Sequence, residues 1–79
     1  MSRKVTRPAR VGMAGGRITW ISWSRRPFAV REVLGRWTEP PAPWDGAGER
    51  RYARLLLESG AVLEAYQEDD RWYVCGMED

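Results

Sequence analysis

The stretch RRYARLLLESGAVLEAYQE, residues 50–68, decides the fold. Its centre, Glu58-Ser59-Gly60, is typical of a three-residue hairpin loop in which the glycine takes the left-handed conformation. One face of such a hairpin is wholly apolar and consists of the pairs Leu57–Ala61, Leu55–Leu63 and Ala53–Ala65. The other face carries Arg50–Glu68, Arg54–Glu64, Leu56–Val62 and Tyr52–Tyr66. A shift by one residue destroys both patterns, so the sequence predicts the register together with the hairpin.

A second turn follows the hairpin at Asp69-Asp70 and leads into a last predicted strand, RWYVC, residues 71–75. A two-residue turn places Trp72 and Val74 on the apolar face and Tyr73 beside Tyr66. We therefore expect a tyrosine ridge, formed by Tyr52, Tyr66 and Tyr73, on the outer face of the sheet.

Two further strands are predicted upstream of the hairpin. The segment ITWISW, residues 18–23, is rich in β-branched and aromatic residues, and residues 24–27 (SRRP) end it. Residues 28–34 form the next strand, which continues through a bulge or bend at Gly35 to Trp37. A short helix over 29–36 is the alternative, and the brevity of the segment and the preceding strand favour the extended form.

Residues 39–48, EPPAPWDGAG, are predicted to form a loop because three prolines exclude a helix or a central strand. Ten residues is long for a connection in a small domain, which makes this loop a candidate functional element. Trp44, at its centre, either fills the core or is exposed as a contact.

These segments predict an all-β domain over residues 17–79, a small five-stranded SH3-like or OB-like barrel or a curled meander sheet. Residues 1–16 contain basic residues, Pro8 and three glycines, with few large apolar side chains. Such a composition buries too little surface to offset chain entropy, so we expect a disordered basic arm.

The formal net charge of +2 conceals an asymmetry along the chain. Residues 1–36 contain nine Lys or Arg and one acid, a balance of +8, whereas residues 37–79 contain four Arg and ten acids, a balance of −6. A basic half attracts phosphate, and an acidic half either repels it or pairs with the basic half internally.

Several kinds of chemistry are poorly supported by this composition. The chain has no histidine and one cysteine, Cys75, so a histidine base, an activated thiol and the usual zinc ligand sets are missing. Four acids, Glu64, Glu68, Asp69 and Asp70, are better explained by ion pairs and turns than by a metal site. We expect a non-catalytic cytoplasmic protein with no cofactor, no small-molecule substrate and no membrane span.

Two binding surfaces are predicted. Trp20, Trp23 and Phe28 alternate with arginines, a pattern that suits base stacking beside phosphate contacts, although alternate aromatic residues also build cores. The candidate nucleic-acid residues are Arg3, Lys4, Arg7, Arg10, Arg17, Arg25, Arg26 and Arg36, with Arg31 nearby. The candidate partner-binding residues are Trp44, Tyr52, Tyr66 and Tyr73.

Residues 18–79 resemble an uncharacterised bacterial family of small domains of unknown function. The resemblance rests on VREVLGRW (30–37), WDG (44–46), ERRY (49–52), EAY (64–66) and RWY (71–73). Members of that family are encoded beside, or fused to, Y-family DNA-polymerase-like proteins of mutagenic repair. The resemblance implies an accessory role in DNA repair or translesion synthesis, and it carries no catalytic residues.

From the residues and the resemblance together we expect an accessory domain that binds single-stranded or duplex DNA, a Y-family polymerase-like protein, or both. The alternative is a pure protein-interaction module that does not bind nucleic acid and uses the tyrosine ridge or the Trp44 loop as its contact.

Overall fold

The computed structural model of the protein describes residues 6–40 and 48–78. These residues form six strands and no helix: β1 Arg7–Ala14, β2 Arg17–Trp23, β3 Arg26–Glu39, β4 Arg50–Leu57, β5 Val62–Glu68 and β6 Arg71–Glu78. Each strand pairs antiparallel with its neighbour in the chain, and β1 pairs with β6, which closes the barrel. The prediction of a small all-β barrel is confirmed, with one strand more than expected.

The β4–β5 hairpin has the predicted register. Tyr52 lies opposite Tyr66, Ala53 opposite Ala65, and Leu55 opposite Leu63. The backbone N–H of Leu57 donates to the carbonyl of Ala61 (2.9 Å) and that of Gly60 to the carbonyl of Leu57 (2.9 Å), which closes a three-residue loop. Gly60 has φ +93°, a left-handed conformation that a glycine adopts without steric cost.

The turn between β5 and β6 is also as predicted. Asp69 and Asp70 have φ values of +50° and +65°, the signature of a two-residue hairpin turn whose twist matches that of the strands. Aspartate tolerates this conformation better than most residues because its short side chain bonds locally to the backbone. Tyr66 therefore lies opposite Tyr73, and Trp72 packs against the core.

The assignment of residues 1–16 to a disordered arm was wrong for residues 7–14, which form β1. The Gly15-Gly16 pair, with φ values of +57° and +78°, makes a two-residue hairpin turn into β2. Only alternate positions of a strand face the core, and here Ala9 and Val11 are enough to pack against it. Arg10, at an intervening position, and Arg7, exposed at the start of the strand, lower the mean hydropathy of the segment without preventing pairing. Arg3 and Lys4 lie outside the described residues.

The connection between β2 and β3 is shorter than the four residues predicted. Ser24 and Arg25 alone form the turn, with φ values of +53° and +66°, and Arg26 and Pro27 already pair with β2. Strand β3 is long because it serves two neighbours: residues 26–29 pair with β2, and residues 30–39 pair with β4. Register shifts occur at residues 30–32 and at residues 33–35, the second at the predicted Gly35 bulge. The helix alternative for residues 29–36 was wrong.

The barrel interior is built from aliphatic side chains. Ile21, Leu55, Leu57 and Leu63 are its largest fully buried members, and Ile18, Val74 and three alanines complete the cluster. Trp23, Phe28 and Trp72 pack around this cluster, whereas Trp20 and Trp37 remain on the surface. The tryptophans therefore divide between supporting the core and presenting aromatic surface. Trp44 and the centre of its loop lie outside the described residues.

Candidate nucleic-acid and partner interfaces

The charged residues of the two halves of the chain do not neutralise each other. In the part of the chain that the structure describes, the ion pairs are Arg50–Glu68 (2.9 Å), Arg51–Glu49 (3.5 Å) and Arg54–Glu64 (3.8 Å). All six residues belong to the acidic half. The arginines of β1, of the β2–β3 turn and of the start of β3 have no ion-pair partner among the described residues, so their positive charge is left to attract anions.

Four of the predicted nucleic-acid residues gather at one end of the barrel. Arg7 and Arg10 lie on β1, Arg25 is in the β2–β3 turn, and Arg26 follows it. The Arg7 Nη1 donates to the Ser24 hydroxyl at 3.4 Å, which ties the start of β1 to this turn. A groove of about 400 Å³, the basic groove, is lined here by Pro8, Ala9, Arg10 and residues 22–25.

The other predicted arginines form a second group. Arg17 and Arg36, together with Arg31, line a groove of about 620 Å³ where β2 and β3 diverge. The Arg36 Nη2 donates to the Gly16 carbonyl at 3.4 Å, which links β3 to the tip of the β1–β2 hairpin. Glu32 lines the same groove, so its balance of positive charge is lower than the count of arginines implies.

The predicted aromatic constellation is divided in the structure. The rings of Trp23 and Phe28 stack with centroids 4.4 Å apart and pack against the core, so they are not free to stack on a base. Trp20 faces outward and is 40% exposed. It lines an open groove of about 570 Å³, the Trp20 groove, whose lining is Pro8, Ala9, Arg10, Val11, Trp20 and residues 70–73.

The rings of the predicted tyrosine ridge do lie in a row, which is one residue longer than predicted, but Tyr66 within it is buried and only 7% exposed. Ring centroids are 5.3 Å apart for Trp37–Tyr52, 5.3 Å for Tyr52–Tyr66 and 5.2 Å for Tyr66–Tyr73. We call these four residues the aromatic ladder. Trp37 pairs with Tyr52 across β3 and β4, but two register shifts in β3 hid that pairing from sequence reasoning. Tyr73 lies opposite Pro8, so β1 borders the ladder.

A row of alternating charges runs beside the aromatic ladder. Glu39 lies opposite Arg50, Arg50 bonds to Glu68, and Glu68 lies opposite Arg71. The Arg50 guanidinium also lies 4.9 Å from the centroid of the Tyr66 ring, within the range of a cation–π contact. The hydrogen bonds to Glu68 and Tyr52 raise the pKa of Arg50 above its usual value. This side of the ladder is therefore electrically balanced.

The surroundings of Tyr52 in the aromatic ladder shift the pKa of its hydroxyl. Burial raises the pKa of its hydroxyl above 10.0, and the hydrogen bond with Glu39 raises it further, while Arg50 opposes both effects. The neutral phenol is therefore the form that the folded barrel favours. The Tyr52 ring lies between those of Trp37 and Tyr66.

The other side chains with potential reactivity, Cys75 and the two aspartates of the β5–β6 turn, take part in local structure. The Cys75 thiol is half-buried and lies 3.5 Å from the carbonyl oxygen of Glu64. Asp69 and Asp70 occupy a turn, and no group of three potential metal ligands occurs within residues 6–40 and 48–78. The same residues include no helix long and apolar enough to cross a membrane.

Comparison with protein-family models, with curated proteins and with solved structures gives no match for this chain.

Proposed function

We propose that this protein is a non-catalytic cytoplasmic accessory domain that binds nucleic acid through the end of the barrel carrying Arg7, Arg10, Arg25 and Arg26. The observation that carries the proposal is the absence of ion-pair partners for these arginines among the described residues, while Glu49, Glu64 and Glu68 pair with arginines of the acidic half. The resemblance to domains found beside Y-family DNA-polymerase-like proteins adds DNA repair or translesion synthesis as the setting.

The arrangement of these arginines suits binding to the phosphate groups of a nucleic acid. Guanidinium groups present several N–H donors in a planar fork, which matches the oxygens of a phosphate. Arg7, at the start of β1, and Arg10 are both exposed, and the β2–β3 turn lies beside them: Arg7 bonds to Ser24, and Arg10 lines the basic groove together with Arg25. Three such contacts along a short path bind nucleic acid through the release of condensed counterions.

The test compares two triple variants by fluorescence anisotropy with a labelled DNA strand at about 50 and 200 mM salt. The first combines Arg7→Gln, Arg10→Gln and Arg25→Asn, because asparagine tolerates the left-handed φ of residue 25. The control combines Arg17→Gln, Arg31→Gln and Arg36→Gln, which removes the same charge elsewhere.

The first variant should lose at least about tenfold in affinity, and its salt slope should fall by about 2, as expected for the loss of three contacts to a single strand. The control should lose much less. Equal losses in the two variants would point to general electrostatic attraction instead of a local site. No binding by the unaltered protein at about 50 mM salt would refute the proposal.

The proposed protein partner is a Y-family polymerase-like protein, and the support for it is the resemblance. Calorimetric titration of the full chain with a purified Y-family polymerase-like protein from the same host tests this part. A micromolar or tighter dissociation constant is expected, and no heat of binding over a range of temperatures would remove the partner from the proposal.

The aromatic ladder favours a second candidate function, a protein-interaction module without nucleic-acid binding. The charges beside the ladder alternate in sign, so this surface offers phosphate little net attraction, whereas aromatic residues are enriched at protein interfaces. In this case Trp37→Ala would abolish capture of the partner without unfolding the barrel. Trp44→Ala would have the same effect if the loop is the contact.

A further inference from the structure

We propose that the Trp20 groove takes one unstacked base of a single-stranded nucleic acid, with the exposed face of the Trp20 indole as the stacking surface. This inference rests on the proposed function and adds to it the class of nucleic acid and the group that is recognised.

The position of the Trp20 ring is set by a glycine on the neighbouring strand. Gly12 lies opposite Trp20 in the β1–β2 pairing. A Cβ built on Gly12 would stand 1.8 Å from Nε1, 2.3 Å from Cε2 and 2.5 Å from Cδ1 of the indole. All three atoms belong to the five-membered ring, with Nε1 the nearest, so this ring of the indole lies directly over Gly12. Trp20 is 40% exposed and lines the groove, so part of the indole is accessible to a ligand.

The groove has the size and lining of a site for a flat ring. Its volume of about 570 Å³ lies within the range of about 300–1,000 Å³ that is usual for small-molecule sites. Tyr73, Trp72 and Pro8 supply aromatic and apolar lining. Bases of any identity stack on aromatic side chains, which suits recognition of single strands without sequence preference.

The charges of the two grooves indicate where the sugar-phosphate backbone of the bound nucleic acid runs. The Trp20 groove shares Pro8, Ala9 and Arg10 with the basic groove, so the two grooves adjoin along β1. Arg10 and Arg25 line the basic groove, and no acid does. The Trp20 groove is lined by Asp70 as well as by Arg10 and Arg71, so its positive charge is partly offset, whereas that of the basic groove is not. The base therefore lies in the Trp20 groove while the adjacent phosphates lie on the basic groove.

A duplex does not satisfy this geometry, because its bases are paired and stacked and do not enter a groove on a protein surface without being extruded. The Trp20 groove thus predicts preference for single strands, whereas phosphate contacts alone would bind both forms.

The experiment uses the full chain and fluorescein-labelled oligothymidylate and oligouridylate of about twelve nucleotides, with a duplex of the same length. Trp20→Ala removes the stacking surface. Gly12→Ala keeps the indole but displaces it from its position. Trp37→Ala is the matched control, because Trp37 is 41% exposed and lies in the aromatic ladder. Circular dichroism and thermal unfolding confirm that each variant is folded.

Trp20→Ala and Gly12→Ala should each weaken binding of the single strand by about tenfold with an unchanged salt slope, since stacking releases no counterions. Trp20→Phe should recover most of the loss, and Trp37→Ala should bind like the unaltered protein. The unaltered protein should bind the single strand at least about tenfold more tightly than the duplex. The oligothymidylate and oligouridylate arms decide whether DNA or RNA is the tighter ligand.

Equal affinity of the unaltered protein and Trp20→Ala would overturn the base-binding groove, even if the arginine variants confirm the phosphate contacts. The same conclusion follows if Trp37→Ala loses as much affinity as Trp20→Ala, or if the duplex binds as tightly as the single strand. If no oligonucleotide binds the unaltered protein at low salt, the proposed function fails and this inference fails with it.

Discussion

Deleting residues 1–16 is expected to unfold the protein, because this segment contains β1. The deletion removes five residue pairs between β1 and β2 and three between β1 and β6. It also removes Ala9 and Val11, which pack against the core, and it opens the closed barrel along two edges.

The expected loss in free energy of unfolding follows from the number of strand pairings that the deletion removes. Eight residue pairs of an antiparallel ladder correspond to about eight backbone hydrogen bonds, each with a net contribution of about 0.5–1.5 kcal/mol. Their loss costs about 4–12 kcal/mol before any apolar area is counted. A domain of this size has a free energy of unfolding of only about 4–12 kcal/mol, at roughly 0.05–0.15 kcal/mol per residue. The deletion therefore removes as much free energy as the whole fold has.

Far-ultraviolet circular dichroism and urea denaturation provide the assay. The shortened chain should show no cooperative transition, whereas a chain that begins at Thr6 should retain the midpoint and slope of the full protein, since it keeps every described strand. A cooperative transition at an unchanged midpoint after removal of residues 1–16 would refute the reasoning and would return this segment to the role of a dispensable arm.

The other predictions concern the core, one titrating group, the hairpin and the proposed base site. Leu63→Ala, at a position that is 0% exposed, should lower the free energy of unfolding by about 2–5 kcal/mol in urea denaturation, and a smaller loss would mean that the core collapses around the gap. The raised pKa of Tyr52 means that its contribution to stability is complete below pH 10.0 and is lost as the pH rises through the folded-state value. Tyr52→Phe should therefore show a shallower fall in thermal midpoint above that pH, and an unchanged slope would contradict the assignment. Gly60→Ala should cost about 1–2 kcal/mol because φ is +93°, whereas an unchanged unfolding midpoint would show that the loop relaxes. Asp70→Asn should tighten oligonucleotide binding a few-fold with no loss of stability, and weaker binding would place the phosphates elsewhere.

Local pairing was predictable wherever a turn residue and an alternating pattern agreed. Gly60 and the pairs around it specified the β4–β5 hairpin, and Asp69-Asp70 specified the next turn. These elements involve neighbours in the chain, so their register depends on short loops whose geometry the residue types restrict.

Strand β1 was missed although a local signal was present. Gly15-Gly16 between two extended segments is a recognised hairpin turn, but the surrounding arginines made the segment look like a disordered tail. Composition averages over both faces of a strand, whereas folding requires only that the inward face be apolar. The presence of Ala9 and Val11 at alternate positions was the pattern to weigh.

The positions of Trp37 and Trp20 were not predictable for a different reason, because they depend on contacts between strands. The place of Trp37 at the end of the aromatic ladder depends on two bulges in β3, and their combined effect on register is set by pairing with β4. The outward position of Trp20 depends on Gly12, a residue on another strand whose lack of a side chain makes room for the indole. Neither contact is encoded within a window of a few residues.

The sequence alone determined the all-β class, two hairpins with their registers, the tyrosine ridge and the separation of charge between the halves of the chain. These properties follow from side-chain alternation, turn chemistry and counting. Only the tertiary structure decided that the barrel closes through β1, that the arginines divide into two groups, and that one tryptophan supports the core while another presents its face beside a basic groove. Those outcomes depend on strands distant in sequence meeting around a common core, and no local pattern determines where such strands meet.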